Sequence, residues 1–332
     1  MQPVKTDHAK DETTLRDDAI GLAIIICTFH RPDLLRQALA SLRRQTLPSD
    51  LRPTVYVVDN SDDGSAANVV AEAAIGSPFP VQWLEAHPAN ISVARNAGIR
   101  ASNQPFVAFI DDDEICEPGW LQAVSQALHT TTHDVLFGRV MVDFENPGLS
   151  TKAVKQLFSR ELDRADGHAL YAFGPDKISS ITLATCNSLF RRATTLTDEI
   201  PFDDAFGVGG GEDYDLFCRL QRRGRSFGWL PAATVREFVP SARCDGKYLR
   251  RRFYAGGQAF AAAIARNGDA KQFTRWTVRL QAVAQAALLL AQLPLAVARG
   301  RESLADYGYR WAGVLGKLSF GAIYPLYRRT ES

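Results

Sequence analysis

The nine residues GLAIIICTF, Gly21 to Phe29, restrict the fold more than any other stretch of this chain. A strand with one wet face alternates apolar and polar residues. This run is apolar and rich in β-branched side chains, as suits a strand covered on both faces in a parallel sheet. Parallel neighbours need a crossover, and one follows: after Arg31 and Pro32, DLLRQALASLRRQ sets Leu35, Leu39 and Leu42 on one helical stripe. TVYVVDNSDDGSAANVV then reads as a second strand, a polar turn and a second helix start, which completes a βαβ unit. VQWLEAH reads as a third strand, ISVARNAGIRAS as a helix, and FVAFI, Phe106 to Ile110, as a fourth strand. Further strands are expected over Asp134 to Phe144, over Ala184 to Arg192 and near Trp229 to Val235, with a helix from about Asp213 to Arg222. Residues 145 to 183 show no clear periodicity and are expected to hold a mobile loop. The fold class is α/β, with an open, mostly parallel sheet.

In such sheets ligands lie beyond the carboxyl ends of the strands, where Thr28, Asp59, Asn60 and Asp111 all fall. The fourth strand delivers four carboxylates there in a row, Asp111, Asp112, Asp113 and Glu114. Adjacent carboxylates repel one another and burial worsens the conflict, so a cation belongs among them unless the run is a solvated turn. Mg²⁺ and Mn²⁺ suit a few carboxylate oxygens together with a substrate phosphate. A D-x-D pair alone arises often by chance; the preceding buried strand and βαβ unit give it weight. Arg31 and Arg95 lie near these strand ends, where a guanidinium can meet a base, phosphate or carboxylate, though a surface arginine fits the sequence equally. VGGGEDYDLFCRL adds three glycines, Gly209 to Gly211, that permit close approach of a ligand, followed by Glu212 and Asp213 at a helix start. Asp213 could merely cap that helix. A cap alone does not call for three glycines, which favours a catalytic base.

Other chemistries find little support. The histidines are scattered without metal-ligand spacing, and GxSxG, HExxH and the P-loop pattern are absent. Five cysteines, an odd number with no CxxC pair, indicate neither a zinc site nor a disulfide framework, and so a reducing compartment. DGKYLRRRFYAGGQAF mixes basic and aromatic residues, but its apolar neighbours and the carboxylate-rich crevice argue against nucleic acid.

With IIICTFHRPDLLRQALASLRRQ, VVDNSDDGS, NISVARNAG, FIDDDE and GGGEDYDL in this order and spacing, the chain resembles the family 2 glycosyltransferases, inverting enzymes of the GT-A fold. The likeness covers roughly residues 22 to 255, and CTFHRP, IDDDE, GGGED and EFVPSAR look most like the branch with bacterial succinoglycan-type exopolysaccharide glucosyltransferases. The resemblance implies that Thr28, Asp59 and Arg95 contact the nucleotide of a UDP-sugar, with Arg31, Asp112 and Glu212 also on the substrate side. It implies that Asp111 and Asp113 form the D-x-D motif, Asp113 touching Mn²⁺ or Mg²⁺, and that Asp213 is the general base. Many relatives add a histidine ligand after the last strand. TVREFVPSAR has none, and Glu237 is the expected substitute.

The implied reaction moves a sugar, glucose by the branch resemblance, from a UDP-sugar to a lipid-linked oligosaccharide in bacterial polysaccharide biosynthesis. Transfer to a polyprenyl phosphate, or an inactive nucleotide-sugar-binding role in an assembly complex, are the alternatives.

The expected domains are a disordered polar leader (1–20), a GT-A catalytic domain (21–242) and a basic, apolar helical region (243–332). The last has 15 Lys/Arg against 5 Asp/Glu, whereas the first 242 residues have 23 against 32. LQAVAQAALLLAQLPLAVA, Leu280 to Ala298, carries no charge over 19 residues, long enough on paper to span a bilayer. Its glutamines, Pro294 and flanking arginines favour helices lying on an anionic inner leaflet, with packing on the catalytic domain or a true span as the other readings. The expected location is peripheral, on the cytoplasmic face of the inner membrane.

Overall fold

A computed structural model describes residues 18–267, 271–319 and 322–326. Most of the expected leader, residues 1–17, lies outside them. The chain runs β1 (Ile20–Thr28), α1 (Pro32–Arg43), β2 (Leu51–Asp59), α2 (Ala67–Ala74), β3 (Val81–Glu85), α3 (Ile91–Ala101), β4 (Phe106–Asp111), β5 (Glu114–Cys116) and α4 (Trp120–Thr130). There follow β6 (Val135–Phe144), α5 (Lys152–Phe158), β7 (Ala169–Leu170), β8 (Ser188–Arg191), α6 (Arg192–Thr195), α7 (Glu212–Arg222) and β9 (Phe227–Val239). Three helices close the described chain: α8 (Gly246–Arg266), α9 (Lys271–Ala298) and α10 (Arg301–Leu318).

The sheet order is β3-β2-β1-β4-β8-β6-β9-β5, with β7 paired to β9. The ladders β3-β2-β1-β4 and β6-β9 are parallel and hold most of the paired residues, while β8 runs antiparallel between β4 and β6. β1 is apolar throughout because both its faces are covered. Leu22, Ile24 and Ile26 pack with α1 and α4, and Ala23 and Ile25 with α3 and α7. α3 comes close enough that a Cβ on Gly98 would lie 2.6 Å from Ile25 Cγ2. Between β1 and β4 the strand order reverses, and the register sets Thr28 beside Asp59 and Cys27 beside Asp111. The crevice at this switch point is where an open α/β sheet binds its ligand.

Several elements differ from the sequence reading. Residues 145–183 are not a plain loop: Thr151 caps α5, and Arg160, 2% exposed, follows it into the core. The Arg160 guanidinium donates to the carbonyls of Gly138, Ala184, Cys186 and Asn187 and lies 5.3 Å from the Phe137 ring centroid. β8 begins at Ser188 and not at Ala184, and the carbonyls of Ala184, Cys186 and Asn187 are taken by Arg160. Asn187, at φ 42°, accepts from Trp120 Nε1 and donates to the carbonyls of Arg139 and Ala233, across the bulge in β6.

The C-terminal helices pack by backbone approach. Gly257 faces the Gly313 carbonyl and Gly316 the Tyr254 carbonyl, with no room for a Cβ at either. α9 buries only a narrow stripe, including Ala282 and Leu289, in a cluster with Val314 of α10. Trp276, Leu280, Val283, Leu288, Leu290 and Val297 stay exposed. By length and composition Trp276–Ala298 could cross a membrane.

Candidate active site

Strand ends and one helix start supply the site. Thr28 closes β1, and its Oγ1 donates to Asp112 Oδ2 at 2.8 Å. Arg31, just before α1, divides Nη1 between Asp112 Oδ1 and Asp113 Oδ2, both at 3.1 Å. From the other side Arg243 Nη1 lies 3.0 Å from Asp113 Oδ2 and 3.4 Å from Glu237 Oε1 on β9. Two guanidiniums therefore hold Asp113, and one of them occupies the space between Asp113 and Glu237. Asp111 ends β4, and its amide donates to Glu114 Oε2 at 2.9 Å.

Burial sets the charge balance. It pushes Asp112 up to about 7, with the Asp113 charge adding to the rise and Arg31 opposing it. Glu237 is pushed up to about 8, again by burial and then by Asp113, against the pull of Arg243. Asp111 is raised by burial and restrained first by Arg95. Glu114 rises well above the carboxylate range, and its Oε1 has no protein partner. Glu114 shapes the turn through its bond from the Asp111 amide.

α7 forms the opposite wall. Its first residue, Glu212, is 5% exposed and takes Arg95 Nη1 on Oε1 in a very short ion pair. Its Oε2 is buried with no protein partner. Arg95 keeps its charge because Glu212, Asp111 and Asp213 outweigh the cost of burying it. Asp213 is half-buried with no ion pair among the described residues, and its Oδ1 accepts from the Tyr214 amide at 2.6 Å. Burial and then Glu212 push it up to about 7, with Arg95 drawing it back. A carboxyl in that range can exchange a proton at neutral pH.

The three glycines also have a packing role. Gly210 and Gly211 hold φ of 87° and 101°, the left-handed region. A Cβ on Gly211 would strike Ala259 of α8, and one on Gly209 would strike Ile323 and the Tyr324 carbonyl. The C-terminal chain thus packs on this loop at Gly209, and α8 packs on it at Gly211. Gln258 of α8 fastens that segment, donating to Ser319 Oγ and the Ala322 carbonyl and accepting from the Tyr324 amide.

Two further placements add to the sequence reading. Asp59 is fully buried, and its two oxygens accept from the Ser61 and Ala66 amides, so it caps the loop after β2. His30 is not isolated: its ring nitrogens lie 3.2 Å from Asp63 and 3.3 Å from Asp62. These three exposed side chains are the one set among the described residues whose ligand atoms gather within 4.8 Å of one another. Asp111, Asp113 and Glu237 do not gather so closely here. Their all-oxygen set still fits a hard divalent ion, and Arg243 already places a positive group between two of them. Sequence reading gave Arg243 no role, although it closes the EFVPSAR motif.

Residues 23–193 match the family model for glycosyl transferase family 2, just over half of the chain. The chain belongs to that family. The matched segment includes Thr28 to Asp113 but ends before Glu212 and Asp213. One relative of this family 2 glycosyltransferase, succinoglycan biosynthesis protein ExoM of Rhizobium meliloti (strain 1021), is 29% identical over 250 residues, 75% of this chain and 77% of that protein. Validoxylamine A glucosyltransferase of Streptomyces hygroscopicus subsp. limoneus is 32% identical over 234 residues, 65% of this chain and half of its own length. Among solved structures, mannosyltransferase PcManGT from Pyrobaculum calidifontis in complex with GDP-Man and Mn²⁺ superposes with a TM-score of 0.57 at 19% identity, covering 90% of this chain and 86% of that one. S. aureus TarS 1-349 in complex with UDP-GlcNAc gives 0.53 at 15% identity, over 77% and 70% of the two chains. These likenesses establish a GT-A-like fold with a helical C-terminal region.

Proposed function

We propose that this family 2 glycosyltransferase is an inverting hexosyltransferase of bacterial polysaccharide biosynthesis, taking its sugar from a UDP-sugar and passing it to a lipid-linked saccharide. The observation that carries the proposal is the arrangement around Arg95. Its guanidinium is within electrostatic reach of Asp111 on the strand side and of Glu212 and Asp213 on the helix side. A carboxylate site for the donor diphosphate and a carboxyl suited to proton transfer therefore face one crevice. The ExoM likeness supports the polysaccharide setting, and the TarS complex supports a UDP-sugar.

Asp111, Asp113 and Glu237 would hold Mg²⁺ or Mn²⁺, a reading supported by the Mn²⁺ in PcManGT. When bound, the ion neutralises charge on the departing diphosphate. Arg31 and Arg243 are free to turn from Asp113 to the phosphate oxygens, which guanidiniums bind well. Thr28 fixes Asp112, and Asp59 caps the loop flooring the nucleotide pocket. The unpartnered Glu212 Oε2 is left for a sugar hydroxyl, while Arg95 holds Glu212 in place. Asp213 takes the proton of the acceptor hydroxyl as its oxygen bonds to the anomeric carbon and the bond to UDP breaks. One displacement from the face opposite the leaving group inverts the configuration.

Residues 21–242 form the catalytic domain in this reading, and residues 243–332 attach it to the cytoplasmic face of the inner membrane through α9. Arg243 is contributed to the crevice from the second region. NMR of the product made from an α-linked UDP-hexose tests the mechanism: a β-linkage is expected, and a retained α-linkage would overturn it.

A further inference from the structure

Beside Asp213, at the seam between the body and the C-terminal helices, two lysines converge on one aromatic stack. Tyr214 of α7 and Phe260 of α8 stack with ring centroids 5.4 Å apart and planes 23° apart. Lys177, from the chain between β7 and β8, places its ammonium 4.9 Å from the Tyr214 centroid and 5.6 Å from that of Phe260. Lys317 of α10 lies 5.1 Å from the same Phe260 ring and donates to Gln285 of α9 at 2.9 Å. Among the described residues neither ammonium pairs with a carboxylate. Burial lowers both lysines from their ordinary range, and the nearby Lys317 charge lowers Lys177 further. Two like charges brought together at partial burial without a counterion form a conflict that a bound anion relieves.

We propose that Lys177 and Lys317, mounted on the rings of Tyr214 and Phe260, form a binding site for the diphosphate of a prenyl-type lipid acceptor. The assignment rests on the lipid-linked acceptor reading above. Both ammoniums lie within 5.6 Å of the Phe260 ring centroid, and the Lys317 charge is felt at Lys177, so one anionic group beside that ring can draw on both. The exposed apolar Leu288, three residues on from Gln285 and on the same face of α9, gives a hydrocarbon chain a surface to follow. On the inner side Tyr214 is chain neighbour to Asp213, so the saccharide on such a diphosphate is delivered toward the base. No covalent step is involved at this site. It holds the acceptor while chemistry proceeds in the crevice.

The test is calorimetric titration of the full chain with farnesyl diphosphate, with Mn²⁺ and UDP saturating the donor crevice so that a diphosphate cannot bind there. Wild type is compared with Lys177→Gln, Lys317→Gln and the double variant, and the UDP titration of each variant reports that its fold stands. Each lysine removed is expected to weaken farnesyl diphosphate binding by about tenfold, as for a charge-assisted hydrogen bond. Farnesol is expected to bind all four proteins alike. Equal binding of farnesyl diphosphate by wild type and double variant, or none by wild type, overturns the site. A loss seen only with phosphatidylglycerol vesicles assigns the lysines to lipid headgroups and overturns the acceptor assignment. Failure of wild type to bind UDP at all would instead count against the donor reading of the crevice.

Discussion

Asp213 and Glu212 are adjacent carboxyls with opposite environments, one paired to Arg95 and buried, the other half-buried and pushed up to about 7. A base works only when deprotonated, so turnover should rise as pH climbs through about 7 and then level. Asp213→Asn should lower kcat by about 10²- to 10⁴-fold while leaving donor affinity intact, measured by kinetics beside calorimetry. Glu212→Gln removes the neighbour that raises Asp213 and leaves Arg95 to lower it, so the acid limb of the pH-rate profile should move below 7. An unmoved limb would show that Asp213 does not set it. The same change removes the ion pair of a buried guanidinium that keeps Asp111 and Asp213 within reach, and should cost about 1 to 3 kcal/mol in a urea melt. Much at this scale was legible. Asp111 and Asp113 stand out because charge at the end of a buried strand needs an explanation. The partners were not: Arg243 reaches Asp113 from a separate part of the chain, a contact to which no local spacing points. The capping bonds of Asp59 were not legible either, because a capping carboxylate and a ligand-binding one look alike in sequence.

At the scale of elements, the helix-sheet alternation was readable because leucine spacing and apolar runs report burial directly. Helix α7 and strands β1 and β4 fall within a residue of their expected bounds, and β2 begins three residues before the expected Thr54. Residues 145–183 were not readable, because their order comes from one buried arginine bonding to backbone carbonyls and not from a periodic face. The Gly209 to Gly211 loop shows the same limit. Sequence can register that a Cβ is excluded there, but not that Ala259 and Ile323 exclude it. Gly211→Ala combines a left-handed φ with a collision against α8 and should destabilise the protein by about 1 to 3 kcal/mol, read from its denaturation midpoint. Because the loop leads into α7, that variant should also lose turnover beyond its loss of folded protein.

For the whole molecule, α9 leaves a long apolar face uncovered while packing a narrow stripe on α10. The sequence showed the stretch to be apolar but could not say how much of it neighbouring helices would cover. If this face meets a membrane, the protein should sediment with phosphatidylglycerol vesicles, and Leu288→Asp and Leu290→Asp should each weaken that binding by at least about tenfold. The crevice and the helices join through Arg243, the Gln258 clasp and the Lys177–Lys317 seam. The central claim remains the metal-assisted donor clamp built on Asp113. Calorimetry with a panel of UDP-, GDP- and dTDP-sugars, in Mn²⁺ and then in EDTA, on wild type and Asp113→Ala, tests it most directly. The account predicts that a UDP-sugar binds wild type in Mn²⁺ and that binding is lost both in EDTA and in the variant. Equal binding with and without metal, or full binding by Asp113→Ala, would contradict it.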